Sequence, residues 1–127
     1  DKDDPVRGVL RITRHPFLMG VTLWALTHLV VNGDAAGLVL FGAMVVLCMV
    51  GAFSIDQKRR EKLGDKWSGF ASQTSVIPFA AILQGRNRLA LGELGWWRIL
   101  LALAGFLGVL MYHARLFGVS PIASMMS

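Results

Sequence analysis

The sequence predicts an all-α fold: an integral membrane helical bundle with three visible transmembrane helices and a cytoplasmic amphipathic or re-entrant segment. Composition is the first reason. Of 127 residues, 54% are hydrophobic and only 17% charged, with mean hydropathy +0.55. A soluble domain of this length carries nearer a quarter charged residues. Charge placement is the second. Asp34 and Asp56 are separated by 21 uncharged residues, and a bilayer-crossing helix needs about 20 consecutive apolar ones. The third is the distribution of cations. Arg7, Arg11 and Arg14, the Lys58–Lys66 cluster and Arg86 with Arg88 fall on one side of the expected spans, which marks that side as cytoplasmic. The net charge of +5 is read as this collar, and no nucleic-acid partner is expected.

The first span is expected over about 16–32. Pro16 suits the first helical position, where its missing N–H is not needed. "NGD" (32–34) then reads as a hairpin, with Gly33 in a left-handed position and Asp34 capping the next helix. The second span is expected over about 35–55. "DQKRREKLGDKW" stays on the basic side. "TSVIPFAAILQGRNR" is apolar but broken by Pro78 and Gly85, hence its interfacial or re-entrant assignment. The third span is expected over about 96–117, opening on an aromatic belt of Trp96 and Trp97 and carrying the small pair Ala104/Gly108 for close helix contact. The chain forms one transmembrane domain, with the lipid bilayer as its surroundings and the C-terminal "GVSPIASMMS" on the outer side. It does not begin with Met and shows no cleavable signal pattern, so upstream helices are expected. Cys48, the single cysteine, has no disulfide partner and reads as a small packing residue.

Polar residues at membrane depth are costly and usually functional. His28 and His113 each stand four residues before the outer end of their helix, about 6 Å deep. Two histidines at matched depth suit the two axial positions of a haem iron, or serve as interfacial anchors. Arg115 snorkels, or pairs with a haem propionate. Cys48 is a weaker alternative ligand. His15 is 13 residues before His28, about 20 Å away along the helix, and cannot share its metal. With Arg14 it forms either a collar or half of a polar pocket.

"TRHPFLMG" (13–20), "GDKWSGF" (64–70) and "VIPF" (76–79) resemble the paired signature of the isoprenylcysteine carboxyl methyltransferase superfamily. That resemblance implies a cytoplasmic S-adenosylmethionine pocket. Arg14, His15, Pro16 and Gly20 match, Asp56 stands at the second acidic position, and Gly64, Pro78 and Phe79 match. Ile55 occupies the first acidic position, and Trp67 and Phe70 replace two tyrosines. The implied pocket is vestigial at Arg14, His15 and Asp56, with weak or no cofactor binding expected.

A wider resemblance covers nearly the whole chain. "RITRHPFLMGVTLWALTHLVVNGDAAGLVLFG", "GDKWSGFASQTSVIPFAAILQGR" and "YHARLFGVSPI" look like the NnrU family of bacterial membrane proteins. The resemblance implies a multi-pass inner-membrane protein, with the N-terminal part of this chain cytoplasmic, associated with nitrite and nitric oxide metabolism. Plant zeta-carotene isomerase is similar to that family and uses haem b held by histidine, which favours haem b at His28 and His113. The alternatives are a methyltransferase relative still using S-adenosylmethionine, and a non-enzymatic accessory subunit of a nitrogen-oxide reductase. A membrane partner subunit or a second copy of the chain is the expected protein partner.

Overall fold

The computed structural model describes residues 4–121. Among these, every regular element is helical. The chain divides into two compact units, Asp1–Glu93 and Leu94–Ser127, taken here in turn.

The first unit is built on two antiparallel helices. α1 spans Pro16–Val31 and α2 spans Ala35–Leu63. Pro16 opens α1 as expected. The hairpin also forms, and Asp34 accepts from the Gly37 N–H at 2.9 Å, so it caps α2. Gly33 is not left-handed; instead Asn32 ends α1 in extended backbone, its own N–H and its side chain both donating to the His28 carbonyl. The helices meet along narrow stripes. α1 buries Met19, Thr22 and Ala25, and α2 buries Cys48, Ala52 and Asp56. Thr22, Ala25, Cys48 and Ala52 are small, so the backbones approach closely, as helices packed in lipid do. Cys48 therefore packs between helices.

Two expectations need correction. Three spans were expected, but two helices, α2 and α6 (Trp96–Phe117), are long and apolar enough to cross a membrane. α1 has 16 residues, about 24 Å at 1.5 Å per residue, against a hydrocarbon core of about 30 Å. Pro16 and Asn32 fix its ends while the sequence between them is apolar on all sides, so composition alone overstated its reach. α2 is longer than expected, 29 residues. Its apolar part ends at Ile55, but Gln57, Lys58, Arg59, Arg60, Glu61 and Lys62 are good helix formers and carry the helix on to Leu63. Gly64, with φ of 55°, stops it in a conformation that favours glycine.

The chain after α2 is also more ordered than its composition suggests. α3 spans Asp65–Gln73 and buries Trp67. The following segment contains one helical turn, α4 (Ala80–Leu83). Thr74, Ser75 and Val76 are buried, and the segment folds back on the chain that approaches α1. The Arg14 N–H donates to the Ser75 carbonyl at 2.9 Å, and the Phe79 N–H to the Ile12 carbonyl at 2.9 Å. Phe79 takes a left-handed φ of 67°, rare for a bulky side chain; it lies at the corner where this pairing ends and α4 begins. Arg86 does not only hold the segment to a basic side. Its Nη1 donates to the Ser72 and Thr74 carbonyls at 2.9 Å each, covering the open end of α3.

The second unit is α6 with its flanks. Gly95 and Gly118 bound it with positive φ. The Arg98 guanidinium lies over the Trp97 ring at 5.1 Å. Ala104 and Gly108 lie on its surface, with open space at Gly108. The expected outer side of the C-terminus concerns residues 122–127 in part, and these lie outside the described residues.

Candidate functional site

The polar end of the first unit is assembled from three distant stretches. Thr13, Arg14 and His15 precede α1, Asp56 starts the basic extension of α2, and Thr74 follows α3. Burying an unpaired charge is prohibitive, so each member must find a partner, and each does. The Asp56 Oδ1 lies 2.6 Å from the His15 Nε2, and its Oδ2 accepts from the Arg14 Nε at 3.0 Å. The Arg14 Nη1 donates to the Thr74 carbonyl at 3.0 Å and to the Thr74 Oγ1 at 3.1 Å. Thr13 Oγ1 donates to the Val76 carbonyl at 2.7 Å and accepts from the His15 N–H at 3.2 Å. The Arg14 guanidinium also lies over Trp67, 5.7 Å from the ring. His15 and Asp56 are each only 6% exposed.

This cluster closes on itself. Both Asp56 oxygens are occupied, and the His15 nitrogen that faces it is committed. Arg14, His15 and Asp56, the three residues that the methyltransferase resemblance singled out, do meet, but they bind one another and clasp the ends of α1, α2 and α3. One buried polar atom stands out: Trp67 Nε1 has no hydrogen-bond partner among the described residues.

A second polar cluster escaped the sequence reading. Before α1, a 3₁₀ turn (Gly8–Arg11) presents Arg11 to Glu93, in the short helix α5 (Leu91–Leu94). The Arg11 Nε donates to the Glu93 Oε2 at 2.7 Å and its Nη2 to the Oε1 at 3.0 Å. This is the two-pronged fit of guanidinium to carboxylate. The Gly8 N–H adds a third bond to Glu93 at 2.8 Å, and Asn87 accepts from the Arg11 Nη1 at 2.8 Å. The hydrogen bond from Arg11, then that from Gly8, holds the Glu93 carboxyl down at about 2. The same bond to Glu93 raises the Arg11 pKa. A carboxylate with a depressed folded-state pKa contributes stability above its unfolded value, about 4.5, and loses it as pH falls toward 2. The Gly8 amide resonance is therefore expected to titrate with a midpoint near 2. In Arg11→Ala the midpoint should move up toward the ordinary carboxylate range. A wild-type midpoint near 4.5 would show that the pair does not form.

His28 and His113 share a local arrangement, each within its own unit. The His28 Nδ1 lies 2.8 Å from the Trp24 carbonyl one turn earlier. The His113 Nδ1 lies 2.6 Å from the Val119 carbonyl, beyond the Gly118 turn. A carbonyl can only accept, so at each histidine Nδ1 is the donor. Rings hold the orientation: Trp24 at 4.6 Å and Phe41 at 5.2 Å from His28, and Phe117 at 4.9 Å from His113. A carbonyl behind Nδ1 is the usual support of a metal-binding histidine. Trp24 is also the end of an apolar groove of about 550 Å³ that starts at Pro16 and Phe17. Arg115 lies on the exposed last turn of α6, two residues after His113. No group of three or more His, Cys, Asp or Glu side chains suited to a metal ion occurs among the described residues.

Fold and clusters together define a class: a helical protein with two helices able to cross a bilayer and a buried Arg-His-Asp clasp where its apolar pair of helices ends. Comparison with known proteins narrows it. A family profile described as NnrU protein matches residues 3–121, and the chain belongs to the NnrU family. It is 33% identical over 82 residues to the chloroplastic 15-cis-zeta-carotene isomerase of Zea mays. It is 34% identical over 82 residues to the enzyme of that name from Arabidopsis thaliana. In both cases the match takes in 65% of this chain and 22% of the relative, so the chain spans about a fifth of those proteins. No solved structure matches it significantly.

Proposed function

We propose that this chain is a haem b-binding inner-membrane protein of nitrite and nitric oxide metabolism, with His28 and His113 as the iron ligands. One observation supports the haem reading: at both histidines a backbone carbonyl accepts from Nδ1, the support that metal-binding histidines commonly have. When bound, haem supplies an iron whose reactivity is set by its axial ligands. The chain's own residues hold and orient those imidazoles, and Arg115 offers a cation for a propionate. The role in nitrogen-oxide metabolism rests on the family resemblance. The plant relatives are named as isomerases of a carotene, which supports isomerisation of a lipophilic substrate as the second reading. S-adenosylmethionine has less behind it, because Arg14, His15 and Asp56 already satisfy one another. An accessory role beside a reductase needs only the exposed apolar faces. The absorption spectrum of the full-length protein from haem-sufficient cells tests the proposal: a Soret band is expected, and a colourless protein would end it.

The proposed topology places the basic end of α2 in the cytoplasm. Reporter fusions should then locate residue 33 outside and residue 62 inside. An outward residue 62 would reverse the orientation.

A further inference from the structure

We propose that the polar end of α2 binds a zwitterionic phospholipid, with its headgroup among Arg14, Arg60 and Glu61 and an acyl chain along Val46, Val50 and Phe53. Beside the clasp lies an open cleft of about 490 Å³, lined by Arg14, Phe53, Asp56, Gln57, Arg60 and Glu61. That is within the size range of small-ligand sites. The clasp consumes Asp56, but it does not consume everything in the cleft. The Arg14 Nη2 and the whole Arg60 guanidinium make no hydrogen bond or ion pair among the described residues. Glu61 accepts one long bond, from Gln57 at 3.3 Å. Arg60 and Glu61 are adjacent on the helix and so do not face each other, yet both line the cleft. It thus presents cation and anion separately.

The register of α2 says where the rest of the ligand goes. Val46, Val50, Phe53, Gln57 and the Arg60/Glu61 pair recur at helical spacing and form one stripe. Val46, Val50 and Phe53 are each 61% exposed. The apolar sequence ends at Ile55, so the stripe crosses from hydrocarbon to headgroup level between Phe53 and Gln57. A phosphate suits Arg60 and Arg14, and a primary ammonium suits Glu61. A purely anionic headgroup leaves Glu61 facing like charge, and a choline has no N–H to donate. The fit is to phosphoethanolamine.

This rests on α2 crossing the membrane and not on haem, so it stands or falls apart from the haem proposal. The test is native mass spectrometry of the full chain released from micelles holding equal phosphatidylethanolamine, phosphatidylcholine and phosphatidylglycerol. Retention of phosphatidylethanolamine over the other two by about fivefold is expected, the upper end of what one solvent-exposed ion pair contributes. Glu61→Gln should abolish the preference over phosphatidylcholine, and Arg60→Gln should lower total lipid retention. Lys58→Gln, which removes a cation from outside the stripe, should change neither. Equal retention of the three lipids, preference for phosphatidylglycerol, an equal effect of Lys58→Gln and Glu61→Gln, or displacement of the lipid by S-adenosylmethionine would each overturn the proposal.

Discussion

Asp56→Ala is expected to destabilise the protein by about 3–5 kcal/mol, the cost of removing one partner from a buried ionic group. The magnitude follows from what remains. Asp56 binds His15 at 2.6 Å and Arg14 at 3.0 Å, with all three side chains at most 15% exposed. Without it, the Arg14 guanidinium keeps its bonds to Thr74 but loses its carboxylate partner. The His15 ring loses the carboxylate that faces its Nε2. Truncation also opens a cavity between α1 and α2 at the end of their small-residue stripe. Asp56→Asn keeps the shape and one acceptor oxygen, so it should cost about half as much, near the worth of a charged hydrogen bond. Because Arg14 also reaches the Ser75 and Thr74 carbonyls, the loss should spread to the 74–79 segment. Equilibrium unfolding in detergent, with amide exchange at Val76 and Phe79, measures both effects. If Asp56→Ala unfolds within about 0.5 kcal/mol of wild type, the range of a neutral surface change, the clasp does not hold these elements together.

How much of this was legible depended on range along the chain. Local chemistry was readable. Pro16 at the start of α1, Asp34 as the cap of α2, and the helical spans over 35–55 and 96–117 all follow from a few neighbouring residues. Length was misread where apolar composition outran the capping residues, as at Asn32, and where charged helix formers prolonged a span, as at Gln57 to Lys62. The Arg11–Glu93 pair joins positions 82 apart and has no local signature, because either residue alone reads as a surface charge. Trp67 illustrates the same limit: its sequence context placed it at a tyrosine position of a cofactor pocket, while the structure buries its ring beneath Arg14. Asp56 was joined to Arg14 and His15 only through a family resemblance, since His15 and Asp56 stand 41 positions apart and spacing alone could not pair them.

Loss of haem, or conversion from a low-spin to a high-spin spectrum, is expected for both His28→Ala and His113→Ala. Each change deletes an imidazole whose Nδ1 is held by a backbone carbonyl, that of Trp24 or of Val119. If both imidazoles held a haem iron, removal of either would leave it one ligand short. Two controls separate ligation from general damage. His15→Gln keeps a donor for Asp56 at the other end of α1, about 20 Å from His28, and should leave the spectrum unchanged even if stability falls. Cys48→Ser tests the remaining soft ligand. Its thiol is buried against α1, and a thiolate ligand would change the Soret position on removal, so an unaltered spectrum is expected. Added imidazole provides the sharper readout. It should restore the low-spin spectrum to His28→Ala or His113→Ala by occupying the vacated position, which it cannot do where haem was lost through unfolding. Wild-type spectra in both alanine variants would return His28 and His113 to the role of interfacial anchors, their Nδ1 bonds serving only to satisfy the backbone at the ends of α1 and α6.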